Sequence, residues 1–412
     1  ISFFEQMEDP YLRERASDIR DLGRRILSHL QEKTPSITED LTEPVILVSE
    51  ELTASMLGEF PLEKVKGLVS VMGSSSSHVA ILARAMGIPT VMGAVDLPYS
   101  KLDKIDMIVD GYSGQIFTYP SEAIIDSYQQ IVDEERQLES EYEQLKDLPC
   151  ETLDGQRIGL YVNTGLLADI HRSLDRGAEG VGLYRTEVPF MIRDRFPTEA
   201  EQEQIYRQQL EGFAPAPVTI RTLDVGGDKA LPYFPINEEN PFLGWRGIRV
   251  TLDHLEIFMA QIRAMIKASA GLHNLKIMLP MISNVAEVEE ALALIRRAYA
   301  EVKEEGYDVV MPLVGVMIEV PSAVYQAKEL AGMVDFMSVG SNDLTQYLLA
   351  VDRNNSRVAN LYHTFHPAVL RALADIVERT KGEGVKLSVC GEMAGDPLGA
   401  ILIMAMGYDT LS

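Results

Sequence analysis

A histidine that follows four serines is the first candidate for chemistry in this sequence. An apolar run, predicted to be a strand, leads into Gly73, the serines at 74–77 and His78, where a helical pattern begins. Serine side chains cap the free N–H groups of a helix, and a helix amino terminus favours negative charge. His78 could therefore carry a phosphoryl group. The alternative is a surface histidine beside a capping run, which is the commoner case for an isolated histidine.

Cationic residues form a second candidate group, in the part of the chain after residue 150. Predicted strands alternate with helices there, and in barrels of this pattern functional side chains follow the carboxyl ends of the strands. The cationic residues expected at such positions are Arg185, Arg221, Lys229, Arg246 and Arg353. A guanidinium group binds phosphate or carboxylate with two parallel hydrogen bonds. The set therefore predicts a small substrate that carries both groups.

Carboxylates and a thiol are predicted on the same rim. Glu319 and Asp343 follow adjacent strands, and carboxylate oxygens are the ligands that Mg²⁺ prefers. Cys390 ends the seventh predicted strand, which makes it a candidate proton donor, although a cysteine taken alone is more often a small buried hydrophobe. Arginine and glutamate at strand ends also form structural ion pairs. The convergence of five cations and two carboxylates on one rim favours function over structure.

The elements that position these residues are those of a (β/α)8 TIM barrel at residues 150–412. Helices are predicted at 255–269, 285–304 and 367–381. The sequence stops at Ser412, so the barrel is expected to lack its last helix. The eight predicted strands are 157–162, 180–184, 218–222, 276–279, 313–318, 336–339, 386–389 and 409–412.

Three further segments precede the barrel. Residues 42–120 are predicted to form a small α/β domain around His78, with strands at 45–48, 65–71, 89–92, 107–111 and 114–117. Residues 121–149 carry nine acidic residues against two basic ones and predict one long amphipathic helix. We interpret it as a connector rather than as a coiled-coil surface for a partner. Residues 1–41 are expected to be a helical remnant with a connector.

Composition excludes several classes of function. The formal net charge is 37 − 62 = −25, which argues against nucleic acid or an anionic membrane as partner. The two cysteines, Cys150 and Cys390, give no disulfide framework and predict a reducing, cytoplasmic location. The sequence has no Walker motif, no Gly-x-Gly-x-x-Gly fingerprint and no His/Cys spacing typical of zinc. It begins with Ile1, so a piece of a longer protein is expected.

Seven sequence motifs occupy residues 182–187, 220–229, 239–249, 317–321, 340–347, 350–353 and 390–395. Together they resemble enzyme I of the phosphoenolpyruvate-dependent sugar phosphotransferase system, the phosphoenolpyruvate-protein phosphotransferases. Pyruvate phosphate dikinase and phosphoenolpyruvate synthase share the wider pattern. The details at 244–249 and 351–359 are most similar to the nitrogen-related branch of enzyme I.

The resemblance implies a role for each candidate residue. His78 would be the phosphorylated histidine of a swivelling domain, and Cys390 would protonate the enolate carbon as pyruvate forms. Glu319 and Asp343 would bind Mg²⁺. The phosphoryl group would pass on to a histidine phosphocarrier protein (HPr or its nitrogen-branch counterpart), and the barrel would form a homodimer. Phosphoenolpyruvate itself would be held by Arg185, Arg221, Arg246, Arg353 and Asn342.

The sequence departs from the family pattern in two ways. Ser74 stands where many relatives have a second glycine before the histidine. The helical subdomain that docks the carrier is nearly absent, so the chain resembles an enzyme I truncated at both ends. Two alternatives stay open: a fragment of a dikinase or synthase, and a non-catalytic module that senses phosphoenolpyruvate.

Overall fold

The computed structural model describes residues 41–412, apart from 42, 53–55, 58–59, 73–78, 81–82, 84–85, 166–168, 192, 194, 228, 230, 232, 354 and 356. The chain divides into two compact units, Ile1–Glu143 and Gln144–Ser412. The helix predicted near the amino terminus and His78 both lie outside the described residues. Within the described residues, no helix is both long enough and apolar enough to cross a bilayer.

The first unit contains a parallel sheet and a hairpin, built from the five strands predicted there. Strands β1 (Val45–Ser49), β2 (Val65–Ser70) and β3 (Thr90–Met92) pair in that order. Strands β4 (Met107–Asp110) and β5 (Gln115–Thr118) form the antiparallel pair. The central strand β2 is buried at all but one position, because it has a neighbour on each side and apolar side chains pack against it.

Helix α1 (Glu122–Leu145) confirms the long helix predicted in this region. Its apolar residues Ile125, Ile131, Leu138 and Tyr142 are exposed. Glutamine–acid pairs four residues apart, such as Gln137 with Glu141, lie along its surface. The boundary between the two units falls within this helix, and its role as a connector stays a prediction.

The second unit is a barrel of parallel strands. Its sheet has the order β6-β14-β13-β12-β11-β10-β9-β8-β7. The strands are β6 (Gly159–Leu160), β7 (Val162–Thr164), β8 (Val181–Tyr184), β9 (Val218–Arg221), β10 (Leu275–Leu279), β11 (Leu313–Ile318), β12 (Phe336–Gly340), β13 (Lys386–Cys390) and β14 (Thr410–Leu411).

The first predicted barrel strand is divided in two, and this division closes the ring. Segment β6 pairs with the last strand, β14, whereas β7 pairs with the second, β8. At the division, Tyr161 N–H donates to Leu411 O and the next residue, Val162, donates to Gly180 O. The nine strand segments are therefore eight strands, and the predicted (β/α)8 arrangement is confirmed.

Helices follow each of the first seven barrel strands and cover the outside of the ring. Side chains alternate along each strand, so those facing the helices join the main core and those facing the axis form a separate cluster. That inner cluster consists of Leu183, Met278, Met317, Phe336 and Cys390. The helices are α2 (Asp169–Asp175), α3 (Glu187–Met191), α4 (Glu199–Phe213), α5 (Ile248–Asp253), α6 (Leu255–Ala268), α7 (Val285–Glu304), α8 (Pro321–Tyr325), α9 (Ala327–Ala331), α10 (Ser341–Leu349), α11 (Pro367–Thr380), α12 (Glu392–Gly395) and α13 (Pro397–Met406).

Candidate active site

The carboxyl ends of the barrel strands carry a buried network of charged groups. Arg221, the last residue of β9, places Nη2 2.6 Å from Glu187 Oε1 and 3.1 Å from Asp224 Oδ2. Lys229 contacts the same two carboxylates. Burial disfavours the charge on Glu187 and on Asp224, but these cations outweigh it and hold the pKa of both carboxyls below their usual values. The carboxylates of this network therefore stay charged although they are buried away from solvent.

Arg246 extends the network to the next part of the rim. Its side chain is fully buried, with Nε 3.2 Å from Asp224 Oδ1 and Nη2 3.1 Å from Asp343 Oδ2. Its Nη1 also donates to the Tyr347 hydroxyl at 3.3 Å. Burial opposes the charge on Asp343, yet Arg246 outweighs it and lowers the pKa of that carboxyl. Arg246 thus fixes two carboxylates that come from distant strands.

A glycine permits this close packing. Gly226 lies in the loop after β9 with a φ of +102°, and a Cβ at this position would lie 2.5 Å from Trp245 O. Any other residue would push the loop away from the segment that carries Arg246. The glycine therefore allows Asp224 and Arg246 to approach each other.

Glu319 has a carboxylate oxygen with no partner. Its Oε1 accepts a hydrogen bond from Met281 N–H at 2.6 Å, whereas Oε2 is buried and has no hydrogen-bond partner among the described residues. Burial, together with the nearby charges of Asp343 and Asp224, raises the pKa of Glu319 to about 8. A divalent cation would relieve both the desolvation and the repulsion.

These two carboxylates fit a magnesium site. Glu319 and Asp343 follow strands β11 and β12, which are neighbours in the sheet. Mg²⁺ is usually held by one or two carboxylates, and water and substrate phosphate supply its other ligands. No cluster of three or more His, Cys, Asp or Glu side chains arranged for a metal occurs in the part of the chain that the structure describes.

Cys390 presents a buried thiol beside the charged groups. It is 3% exposed, and its Sγ donates to Val339 O at 3.5 Å. Burial raises the pKa of the thiol to about 11, although Arg221 and Arg185 oppose this effect. The thiol therefore stays protonated at neutral pH and can serve as a proton donor.

Arg185, Arg353 and Asn342 supply donors that the charged network does not use. Arg185 follows β8, is exposed, and has no ion-pair partner among the described residues. Arg353 is half-buried, and its Nη1 is buried without a hydrogen-bond partner among them. Asn342 Oδ1 accepts from Glu392 N–H, while its Nδ2 is 3.4 Å from Glu392 Oε1. Unpaired guanidinium groups on this rim suit an anionic substrate.

Comparison with known proteins identifies the family of this chain. Residues 139–412 match the sequence-family model described as "PEP-utilising enzyme, PEP-binding domain". Residues 41–114 match the one described as "PEP-utilising enzyme, mobile domain". A phosphoenolpyruvate-protein phosphotransferase of Staphylococcus carnosus is 40% identical over 417 residues, covering 100% of this chain and 72% of the relative. The chain belongs to the phosphoenolpyruvate-protein phosphotransferase family.

Two further similar proteins cover different shares of the chain. The phosphoenolpyruvate-dependent phosphotransferase system protein of Escherichia coli is 49% identical over 410 residues, which is 99% of this chain and 54% of the relative. The chain therefore spans about half the length of that relative. A solved structure titled "N-terminal domain of Enzyme 1 - Nitrogen" is 40% identical, with a TM-score of 0.22, and covers 32% of this chain and 53% of that one.

The sequence did not single out the acidic partners of the cations on this rim. Glu187 and Asp224 form ion pairs with Arg221, Lys229 and Arg246. Both lie in motifs in which the cationic residues are the more conspicuous candidates. The signal was present, because a rim that collects several cations in a barrel interior needs carboxylates to balance them. The structure does bring together three of the predicted cations, Arg221, Lys229 and Arg246. Asp343 joins the same network through its ion pair with Arg246.

The raised pKa of Glu319 predicts how the stability of this barrel depends on pH and metal. Without Mg²⁺, folded Glu319 keeps its proton between about pH 5 and its folded pKa near 8, whereas the unfolded carboxyl has lost it. Stability should therefore fall as pH rises through this window, by up to about 1.4 kcal/mol per pH unit. Denaturant titration of the metal-free protein at several pH values measures this slope.

Two conditions should flatten that slope. Glu319→Gln removes the titrating group, and saturating Mg²⁺ replaces the proton, with proton release on binding near pH 7. The lowered pKa values of Asp343, Asp224 and Glu187 act only at lower pH, so they leave this window unchanged. An unaltered slope in Glu319→Gln would show that another group is responsible.

Proposed function

We propose that this chain transfers the phosphoryl group of phosphoenolpyruvate to His78, releases pyruvate, and passes the phosphoryl group to a histidine phosphocarrier protein such as HPr. One observation carries the proposal: a thiol held protonated by burial, Cys390, lies on the same barrel rim as guanidinium groups without acidic partners. An acid beside anion-binding groups suits the conversion of an enol phosphate into pyruvate, because the enolate left after phosphoryl transfer must be protonated on carbon.

Substrate binding is assigned to the donors outside the charged network. Arg185 and Arg353 would bind the phosphate and carboxylate, and Asn342 would add an amide hydrogen bond. Arg221 and Arg246, already held by carboxylates, would supply fixed positive charge without reorganising. Such preorganised charge is the main contribution a protein makes to phosphoryl transfer.

The reaction then needs two bond changes on the substrate. A neutral imidazole nitrogen of His78 attacks phosphorus, and the bond between phosphorus and the enol oxygen breaks, leaving the enolate of pyruvate. The Cys390 thiol gives its proton to the enolate carbon, and the thiolate regains a proton from solvent. Glu319 and Asp343 would hold Mg²⁺, which neutralises developing negative charge when it is bound.

Further parts of the proposal concern the protein as a whole. His78 must reach the rim in one state and a carrier in another, and the acidic helix α1 is the connector that we assign to this movement. A homodimer formed through the barrel, service in the nitrogen-related branch, and a cytoplasmic location complete the proposal. The non-catalytic sensor is the alternative to exclude, because it would bind phosphoenolpyruvate and release no pyruvate.

Arg185→Met tests substrate binding by the rim. Loss of a charged hydrogen bond costs about 1.5–3 kcal/mol, so pyruvate release per mole of protein should become roughly ten- to a hundredfold less efficient at low phosphoenolpyruvate. Arg297→Met is the matched control, because Arg297 lies 68% exposed on the outer helix α7 and pairs with Glu301 on the same helix. Equal activity of the two variants would contradict the assignment, and binding without pyruvate release in the parent protein would favour the sensor.

A further inference from the structure

A cavity lies at the end of the barrel opposite the charged rim. Its volume is about 320 Å³, and it is formed where strands β9, β10 and β11 begin. A volume of this size is at the lower end of the range for small-molecule sites, about 300–1,000 Å³. Its walls include Pro217, His273, Lys276, Met311 and Leu313. The charged rim is built from the other ends of the same strands, so the two sites are separate.

The cavity is cationic in an acidic protein. Its lining residues include Lys276 and His273 and none of the 62 acidic residues of the chain. Lys276 has no carboxylate within ion-pair distance in the described part of the chain, and its Nζ lies 5.5 Å from the centre of the Phe336 ring. Burial lowers the pKa of this lysine, with no acidic neighbour to oppose it. An anion beside Lys276 would offset the cost of burying its charge.

The walls of the cavity are fixed by buried hydrogen bonds. Asn274 is 7% exposed, and its Nδ2 donates to Leu210 O and Ala216 O, at 3.0 and 2.9 Å. These bonds tie the start of β10 to helix α4 and to the loop before β9. Gly271 N–H donates to Asp308 O and joins the loop before β11. The three loops around the cavity are therefore held together without a ligand.

We propose that this cavity binds a small organic anion, a carboxylate or phosphate group on a short apolar body. The ammonium of Lys276 and the His273 imidazole would contact the anionic group, because an ammonium attracts an anion and an imidazole N–H can donate a hydrogen bond to it. The prolines, Val310, Met311 and Leu313 would contact the apolar body. The binding site lies outside the phosphotransferase rim and does not depend on the reaction proposed there.

Benzoate is a suitable probe, and benzamide is its neutral counterpart. Protein with ¹³C-labelled methionine methyl groups is titrated with each, and the Met311 methyl signal reports binding in the cavity rather than at the arginine rim. Benzoate should shift this signal to saturation, and benzamide should bind more weakly. Lys276→Met should weaken benzoate binding roughly tenfold or more, as expected for loss of a charged hydrogen bond.

Two further variants complete the test. Lys381→Met removes the same charge from an exposed position that does not line the cavity and should leave the titration unchanged. His273→Asn retains a residue that tolerates the φ of +57° at this position and should weaken benzoate binding by a smaller factor. This second variant keeps the test valid if Lys276→Met does not fold. The proposal fails if benzoate and benzamide bind alike, if the Met311 signal does not respond, or if neither variant weakens binding.

Discussion

Arg246→Met is expected to lower the free energy of unfolding of the barrel by about 3–5 kcal/mol, as when one partner of a buried ion pair is removed. The guanidinium contacts Asp224 and Asp343 in a place without solvent. Asp224 keeps Lys229 and Arg221, but Asp343 loses the strongest influence that lowers its pKa. Denaturant titration at neutral pH, followed by tyrosine and tryptophan fluorescence, measures the loss.

Arg249→Met is the matched control for this effect. Arg249 lies three residues away and donates to the carbonyls of Leu243 and Gly244, with no carboxylate in these contacts. Its loss should cost only about 1 kcal/mol, because Arg249 is partly exposed and water can take the place of these hydrogen bonds. Adding Asp343→Asn to Arg246→Met should recover part of the stability, because it removes the carboxylate left without its cation. A smaller loss in Arg246→Met than in Arg249→Met would contradict the buried network.

Cys390→Ala is expected to slow pyruvate formation by roughly 10²–10⁴-fold, the usual contribution of a general acid. The effect should fall on kcat rather than on KM, since the thiol donates to Val339 O and is assigned no contact with the phosphate or carboxylate. In the parent protein, activity should also decline at high pH as the thiol, with its pKa near 11, loses its proton. Single-turnover kinetics with coupled detection of pyruvate measures both effects.

Cys150 provides the control for cysteine loss. It is half-buried, packs against the barrel core and lies before the first strand rather than on the rim. Cys150→Ala should therefore leave kcat unchanged and alter only stability. If Cys390→Ala and Cys150→Ala had the same kcat, the thiol of Cys390 would have no role as an acid.

The barrel and its rim could be predicted because both follow from local patterns. Apolar strands such as β11 (Leu313–Ile318) alternate with amphipathic helices such as α7 (Val285–Glu304), and both have the predicted bounds. Parallel strands in a barrel place their carboxyl ends on one rim, so the rim residues follow from the strand ends. This is why the positions of Arg221, Glu319 and Cys390 were accessible from the sequence.

The interactions within the site were not accessible in the same way. Arg246 bonds to Asp224 and Asp343, which lie 22 and 97 residues away in the chain. No local pattern specifies such pairs. Likewise, the raised pKa of Glu319 depends on burial and on two carboxylates from other strands. The division of the first strand at Tyr161 also escaped prediction, because it is set by pairing with β14 and β8 on either side.

The proposed phosphorylation of His78 by phosphoenolpyruvate can be tested directly by labelling. The protein is incubated with Mg²⁺ and phosphoenolpyruvate carrying a labelled phosphate, and the label on the chain is measured with its stability to acid and base. The parent protein and His254→Gln, which changes a half-buried histidine paired with Glu256, should both acquire acid-labile, base-stable phosphate with equimolar pyruvate. His78→Ala should acquire none. Labelling of His78→Ala to the level of the parent would contradict the account.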